Sequence, residues 1–285
     1  SICAHDNVLI DGIYYYLDTK KRVAGIYYDY DLAEEQGVAE PEQGSICVDT
    51  LVIPPTVKYK NRIYRVKSGS ATGLLLMNKP CVHTLVIGEN MEELYESFFA
   101  GFTDVQTLII NSSRVERTDT YMPESVRNVI FGDKVRSVAA MLCADMPNLQ
   151  TVILPKKMEF IGTEAFAGCL QLTHVVMPEQ LNEIFPEAFA GCYRLDNLNI
   201  PSTIKSLAAD AFSGMLNVKD PRLPYVFAHG IMYGWQENGQ LVYNIDPEDV
   251  TELYGGCVVN GFGEYPFAYA DSCRLELLGC SPSVR

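Results

Sequence analysis

The six residues "EAFAGC" occupy positions 164–169, return unchanged at 187–192, and return again as "DAFSGM" at 210–215. The step is 23 residues both times. A fixed period of this size marks a chain that stacks one supersecondary unit on the next, each unit burying its apolar face against its neighbours.

Seven segments fall into register ahead of the box. They are "VDTLVIP" from 48, "VHTLVIG" from 82, "VQTLIIN" from 105, "VRNVIFG" from 126, "LQTVILP" from 149, "LTHVVMP" from 172 and "LDNLNIP" from 195, with a degraded eighth copy, "VKDPRLP", from 218. In the seven copies positions 1, 4 and 6 are always apolar. Positions 4 and 6 are two apart, which is strand alternation. Position 7 is Pro, Gly or Asn, which ends the strand. Each copy therefore predicts one short strand, stacked in parallel on the next. After a second apolar pair comes the box. Phe166, Phe189 and Phe212 are large anchors between turns, and Ala165, Ala188 and Ala211 are small where the chain must approach closely. Gly168, Gly191 and Gly214 permit the positive φ that ends a short helical turn. One repeat is one coil of an α/β solenoid, and the box is its corner.

The pattern "LxxVxIPxxLxxIxxxAFxGCxx", carried by 149–171, 172–194 and 195–217, resembles the BspA-type leucine-rich repeat of bacterial surface proteins. "DGIYYYLDTKKRVAGIYY" at 11–28 and "LVIPPTVKYKNRIYRVKSG" at 51–69 resemble the hairpins that open such proteins. Further on, "PFAYADSCRL" at 266–275 sets Ala268, Tyr269 and Leu275 in the places of Ala165, Phe166 and Leu172. The resemblance is strong over 126–217 and thins towards both ends. It implies a right-handed leucine-rich-repeat solenoid with short parallel strands, short helical corners and an N-terminal β-hairpin cap. It also implies a secreted or surface-attached bacterial protein that adheres to host or neighbouring-cell proteins, extracellular-matrix and plasma glycoproteins among them. No residue of the family is a universal contact.

The expected organisation is a β cap over 1–47, the solenoid over 48–220, and a hairpin insertion followed by irregular C-terminal coils over 221–285. The insertion is "GIMYGWQENGQLVYNI", turning at Asn238-Gly239. The acidic stretch 28–44 lacks the ligand spacing of a calcium loop and reads as a solvated loop. The chain opens at Ser1 with no Met and no signal peptide, which implies that a leading segment was removed or trimmed away.

Composition narrows the function. The net charge is −14, which opposes nucleic acid and anionic membranes, and no apolar run is long enough to span a bilayer. The basic run "KYKNRIYRVK" at 58–67 is a local exception and reads as a solvated hairpin. Nine cysteines leave at least one unpaired. Cys169 and Cys192 share a column with Phe102, Met146 and Met215, so they read as small interior hydrophobes. A ladder disulfide between them is conceivable, because rungs lie about 4.8 Å apart. No Cys-x-x-Cys pair suggests zinc, no cofactor motif is present, and no catalytic motif joins a nucleophile to a base, so an enzyme is not expected. His5, His83, His174 and His229 read as surface histidines.

The outward positions remain. Columns 2 and 3 are polar. Column 5 is Val52, Val86, Ile109, Ile130, Ile153, Val176 and Asn199, six aliphatics along about 25 Å. In one reading these are β-branched residues stacking along a parallel sheet, covered by another segment. In the other they form the heart of a protein-binding face. The candidate contacts are Val86, Ile109, Ile130, Ile153 and Val176 with their neighbours Arg127, Gln150, Thr151 and His174. Two alternatives stand beside adhesion. One is self-assembly through the stripe or an open solenoid end. The other is glycan capture by the cap tyrosines Tyr14, Tyr15, Tyr16, Tyr27, Tyr28 and Tyr30.

Overall fold

The apolar columns dictate the architecture, because a strand with one apolar face needs an equal strand on either side and an apolar interior behind it. The computed structural model describes residues 5–213, apart from 36, 38–40, 96, 119, 196–197, 199, 202 and 209, and beyond them the strands at 225–228, 231–237, 240–242 and 258–259. The chain opens with β1 (His5–Ile10), β2 (Ile13–Asp18) and β3 (Val23–Ile26), an antiparallel meander. The β1–β2 turn carries positive φ at both Asp11 and Gly12, as a two-residue hairpin of right-handed twist requires. The acidic stretch that follows is partly ordered: α1 (Tyr30–Glu35) starts where the Asp29 carboxylate accepts from the Leu32 amide at 3.0 Å.

The coils begin with β4 (Thr50–Val52), followed by the hairpin β5 (Thr56–Tyr59) and β6 (Arg62–Gly69). Each later coil then contributes two strands. These are β7 (Thr84–Ile87) with β8 (Glu93–Leu94), β9 (Thr107–Ile110) with β10 (Glu116–Arg117), and β11 (Asn128–Phe131) with β12 (Ser137–Val138). Next come β13 (Thr151–Ile153) with β14 (Phe160–Ile161), β15 (His174–Val175) with β16 (Glu183–Ile184), and β17 (Ser206–Leu207). Farther on, β18 (Tyr225–Ala228), β19 (Ile231–Glu237) and β20 (Gln240–Val242) pair antiparallel, and β21 (Val258–Val259) adds in parallel to β17. Asn238-Gly239, Gly214 and the copy at 266–275 lie outside the described residues.

Three ladders hold coil to coil. The first is the expected parallel sheet, in the order β15-β13-β11-β9-β7-β4. The second gathers the strands that follow: β12, β14, β16 and β17, each two residues long and ending on a buried apolar side chain, run in one parallel sheet, and β6, β8 and β10 in another. That other sheet is continuous with the cap, because β3 pairs in parallel with β6. The two sheets part between β10 and β12, where the repeat starting at 105 is 21 residues long rather than 23 and has no AF box. There Ser113 spans the gap, its Oγ accepting from the Arg136 amide at 2.9 Å and its carbonyl from Ser137 Oγ at 3.2 Å.

The third ladder is the box. It is a run of turns rather than a helix, and its backbone donors alternate between two directions. The amides of Glu164, Phe166 and Gly168 donate forward to Pro186, Ala188 and Ala190 of the next coil, at 2.8–3.0 Å. The amides of Ala165, Ala167 and Cys169 donate back to Gly162, Glu164 and Phe166 within their own coil. This alternation needs left-handed residues twice per box, at Glu164 and Gly168 and again at Glu187 and Gly191. The glycine in each pair was legible in the sequence; the glutamate was not, because an L-residue there is strained by roughly 1–2 kcal/mol.

Column positions 1, 4 and 6 are buried at nearly every described copy, with only Val48 and Val175 partly exposed. Behind the box Phe166, Phe189 and Phe212 stack nearly face to face, with ring centroids 5.2 and 5.7 Å apart. Cys143, Cys169 and Cys192 are buried free thiols in this same interior, so no ladder disulfide forms among them. A disulfide does form elsewhere, between Cys47 and Cys81, with Cα atoms 5.4 Å apart. Both stand immediately before column 1 of adjacent copies, Val48 and Val82, so the bond staples the first coil to the second.

Three outcomes follow from this packing. Phe189→Ala opens a hole in the middle of the ring stack and lowers stability by about 3–5 kcal/mol, measured by urea unfolding. Removing the 34-residue loop closure with Cys47→Ser and Cys81→Ser lowers it by about 3–4 kcal/mol, read the same way. Glu187 behaves differently. Burial, then the carboxylates of Asp210 and Glu164 on the adjoining coils, raise its carboxyl above the ordinary 4.5. A raised folded-state value means that the folded chain holds the proton more tightly, so stability falls as pH rises through that window. Glu187→Gln therefore raises the unfolding midpoint at pH 7, and the gain disappears below the ordinary value of 4.5.

Candidate functional site: the outward strand face

In the first sheet the register aligns equivalent columns across every rung. Thr50, Thr84, Thr107, Asn128, Thr151 and His174 form one outward row, and Val52, Val86, Ile109, Ile130 and Ile153 form another. Val176 follows directly after β15. Column 5 points outward because Leu51, Leu85, Leu108, Val129 and Val152, one residue earlier on each strand, point in and are buried.

The aliphatic row is open at its ends, with Val52 53% exposed, Ile153 49% and Val176 63%. In the middle Val86, Ile109 and Ile130 are half-buried, and no member from Val52 to Val176 is buried. Asn199 lies outside the described residues. Arg127, Gln150 and His174 are exposed and Thr151 is half-buried, so the named neighbours line the row on its polar side. On column 2 the His83 Nδ1 stands 2.9 Å from Asp49 Oδ1 on the adjoining coil, an exposed pair that contributes little to stability. Five members of the row and most of the Thr row are β-branched on an extended backbone, so few rotamers are lost when a partner docks.

The remaining candidates have structural settings. Cys169 donates its thiol to the Cys143 carbonyl at 3.1 Å, and Cys192 to the Phe166 carbonyl at 3.2 Å. Burial pushes the Cys169 thiol up to about 12, and the Cys143 and Cys192 thiols rise for the same reason. Such thiols are not nucleophiles at neutral pH. The cap tyrosines pack on one another: Tyr14 and Tyr30 each meet Tyr28 edge-on, at 4.6 and 4.8 Å, and Tyr16 meets Tyr27 at 6.4 Å. Tyr14, Tyr15 and Tyr28 are buried. Among the described residues no group of three or more His, Cys, Asp or Glu is arranged to hold a metal, and no helix is long and apolar enough to cross a membrane.

Two features escaped the sequence reading. The Cys47–Cys81 bond was signalled by two cysteines occupying the position just before column 1. Two clefts just beyond the ends of the first-sheet strands had no such signal, because five different segments of the chain assemble them.

Residues 117–228 match the family model described as BspA type leucine rich repeat region, in six copies. A leucine-rich repeat protein from Eubacterium ventriosum ATCC 27560 is similar in structure, with a TM-score of 0.52 at 20% identity, covering 79% of this chain and 54% of that one. One from Bacteroides ovatus ATCC 8483 gives 0.39 at 21%, covering 76% and 60%. The T. pallidum leucine rich repeat protein gives 0.39 at 16%, covering 74% and 79%. The chain thus spans between half and two thirds of the length of the first two. No curated protein matches it. Residues 117–228 thus carry the BspA-type leucine-rich repeat, and the coil geometry from β4 to β17 is that of a parallel-strand solenoid.

Proposed function

We propose that this chain is a protein-binding module of a secreted or cell-surface protein, and that it engages its partner through the outward strand face. The carrying observation is the aliphatic row from Val52 to Val176, of which no member is buried, with polar rows along one side. Exposed apolar surface of that extent, rimmed by polar groups, is characteristic of interaction sites. A stiff β-branched surface binds with little ordering cost. The Cys47–Cys81 disulfide supports an oxidising location outside the cytosol. The partners that fit are extracellular or host glycoproteins, bound without a cofactor.

Binding of the protein to a panel of matrix and plasma glycoproteins tests this, beside the triple variant Ile109→Asn, Ile130→Asn, Ile153→Asn, first checked for unchanged circular dichroism and mass. The expected result is that the parent binds and the variant is weakened by at least about tenfold, the loss of one central apolar contact cluster. Equal binding by both removes the strand face from the reading. If neither binds, and dilution shows that the parent self-associates while the variant is monomeric, the row is an assembly surface instead.

A further inference from the structure

Beyond the carboxyl ends of the first-sheet strands, two clefts adjoin. One, of about 340 Å³, is walled on its apolar side by Val52, Pro55 and Val86, and so opens from the near end of the aliphatic row. The other, of about 380 Å³, is polar, and Arg65, Lys67, Arg114 and Lys134 line it together with Glu89 and Glu92. Glu89, Asn111 and Lys134 belong to both, so the two form one continuous trough, apolar on one side and ionic on the other.

The ionic side runs against the charge of the molecule. The whole chain carries 36 acidic against 22 basic side chains, yet here four cations face two carboxylates, with Asp133 of the adjoining cleft a third. Both glutamates are already engaged. Glu92 takes Lys67 at 2.7 Å and Arg114 at 3.7 Å, and Glu89 takes Lys134 at 2.9 Å. With Asp133 counted, one positive charge is left over. Arg114 and Lys134 have 80% of their side-chain surface exposed, and Arg65 is exposed as well. Part of the basic run at 58–67 that reads from the sequence as a solvated hairpin, Arg65 and Lys67, thus supplies one wall, while Arg114 and Lys134 come from two later coils.

We infer that this trough binds an acidic peptide segment of a partner protein, one in which a carboxylate neighbours an aliphatic side chain. The inference rests on the protein-binding reading above and names the chemistry of the segment. Charge complementarity selects the carboxylate: four cations in net excess of the local carboxylates, on a strongly acidic chain, have an attraction of their own at the range of a screening length of about 8–10 Å. The apolar wall selects a polypeptide over a sulfated polysaccharide, since a sugar chain offers no aliphatic side chain for Val52, Pro55 and Val86. Scale agrees. Glu89 and Glu92, Arg114 and Lys134 stand on three successive coils, a run of about 10 Å, which an extended peptide covers in about three residues.

The test is selection of a random twelve-residue phage-displayed peptide library on the immobilised protein at low salt. Selected peptides are then synthesised and their affinities measured against three proteins: the parent, the charge variant Arg65→Glu, Arg114→Glu, Lys134→Glu, and the strand-face variant with Asn at 109, 130 and 153. The three reversed residues are exposed, and unchanged circular dichroism is required before comparison. The expected result is enrichment of acidic sequences with adjacent aliphatic residues, weakened at least about tenfold by the charge variant and by raising salt from about 0.05 to about 0.5 M. Peptides without acidic excess that bind the charge variant as well as the parent overturn the trough. If those same peptides fail on the strand-face variant, the wider protein-binding reading survives alone. If no peptide is selected, both fall. Heparin retained by the parent and released by the charge variant, with no acidic peptide enriched, overturns the peptide and assigns the cations to a sulfated polymer.

Discussion

Everything in this molecule depends on backbone amides that must find a carbonyl one coil away. A buried peptide group without a partner costs free energy comparable to a lost hydrogen bond, so each coil has to present its donors where the next presents its acceptors. That condition fixes the length of the repeat. A coil of 23 residues returns the chain in register at the strand, at the second strand and at the box. The coil of 21 residues keeps register at the first sheet and forfeits it at the second, where serine side chains replace the missing backbone pairing. Identity of sequence at the box is thus a demand of the hydrogen-bond ladder, and the stacked phenylalanines are its apolar counterpart.

The same condition shapes the surface. Once columns 4 and 6 are committed to the interior, the residues between and before them must point out, at one per rung and in straight rows. The chain cannot make a deep pocket from such a sheet. It makes straight rows of side chains instead, and leaves concavity to the places where strands end and connections differ in length. The hairpin β5–β6 is such a connection, inserted between the first two copies, and the trough lies against it. The surface then divides by geometry: an apolar row along the strands, and a compact ionic trough at their carboxyl ends.

Much of the fold was legible because periodicity acts on many residues at once. Seven copies of the column pattern over-determine the first sheet, so its strands and inward faces could be read without the structure. The second sheet was harder. Its strands in the later coils are only two residues long, too short for alternation to show, and only the second residue of pairs such as Phe160–Ile161 and Glu183–Ile184 is buried. The box was read as a helical turn because Ala, Phe and Gly suit one, whereas its conformation is set by the neighbouring coil. Of the site, the outward row could be seen in the sequence but its exposure could not, since that depends on whether another segment crosses the face. The trough was illegible: Arg65, Arg114 and Lys134 share no spacing and meet only through the stacking of coils.

The bond between Cys47 and Cys81 has a consequence for how such a molecule comes apart. A stack of coils touching only their neighbours loses order from its ends, one coil peeling from the next. The first coil cannot peel from the second while a covalent link holds them, and the cap sheet lies over the same end. Among the described residues no comparable link joins any later pair of coils. Tension or proteolysis applied to the described coils therefore meets a stack whose first interface is covalently closed and whose later described interfaces rest on hydrogen bonds and packing alone.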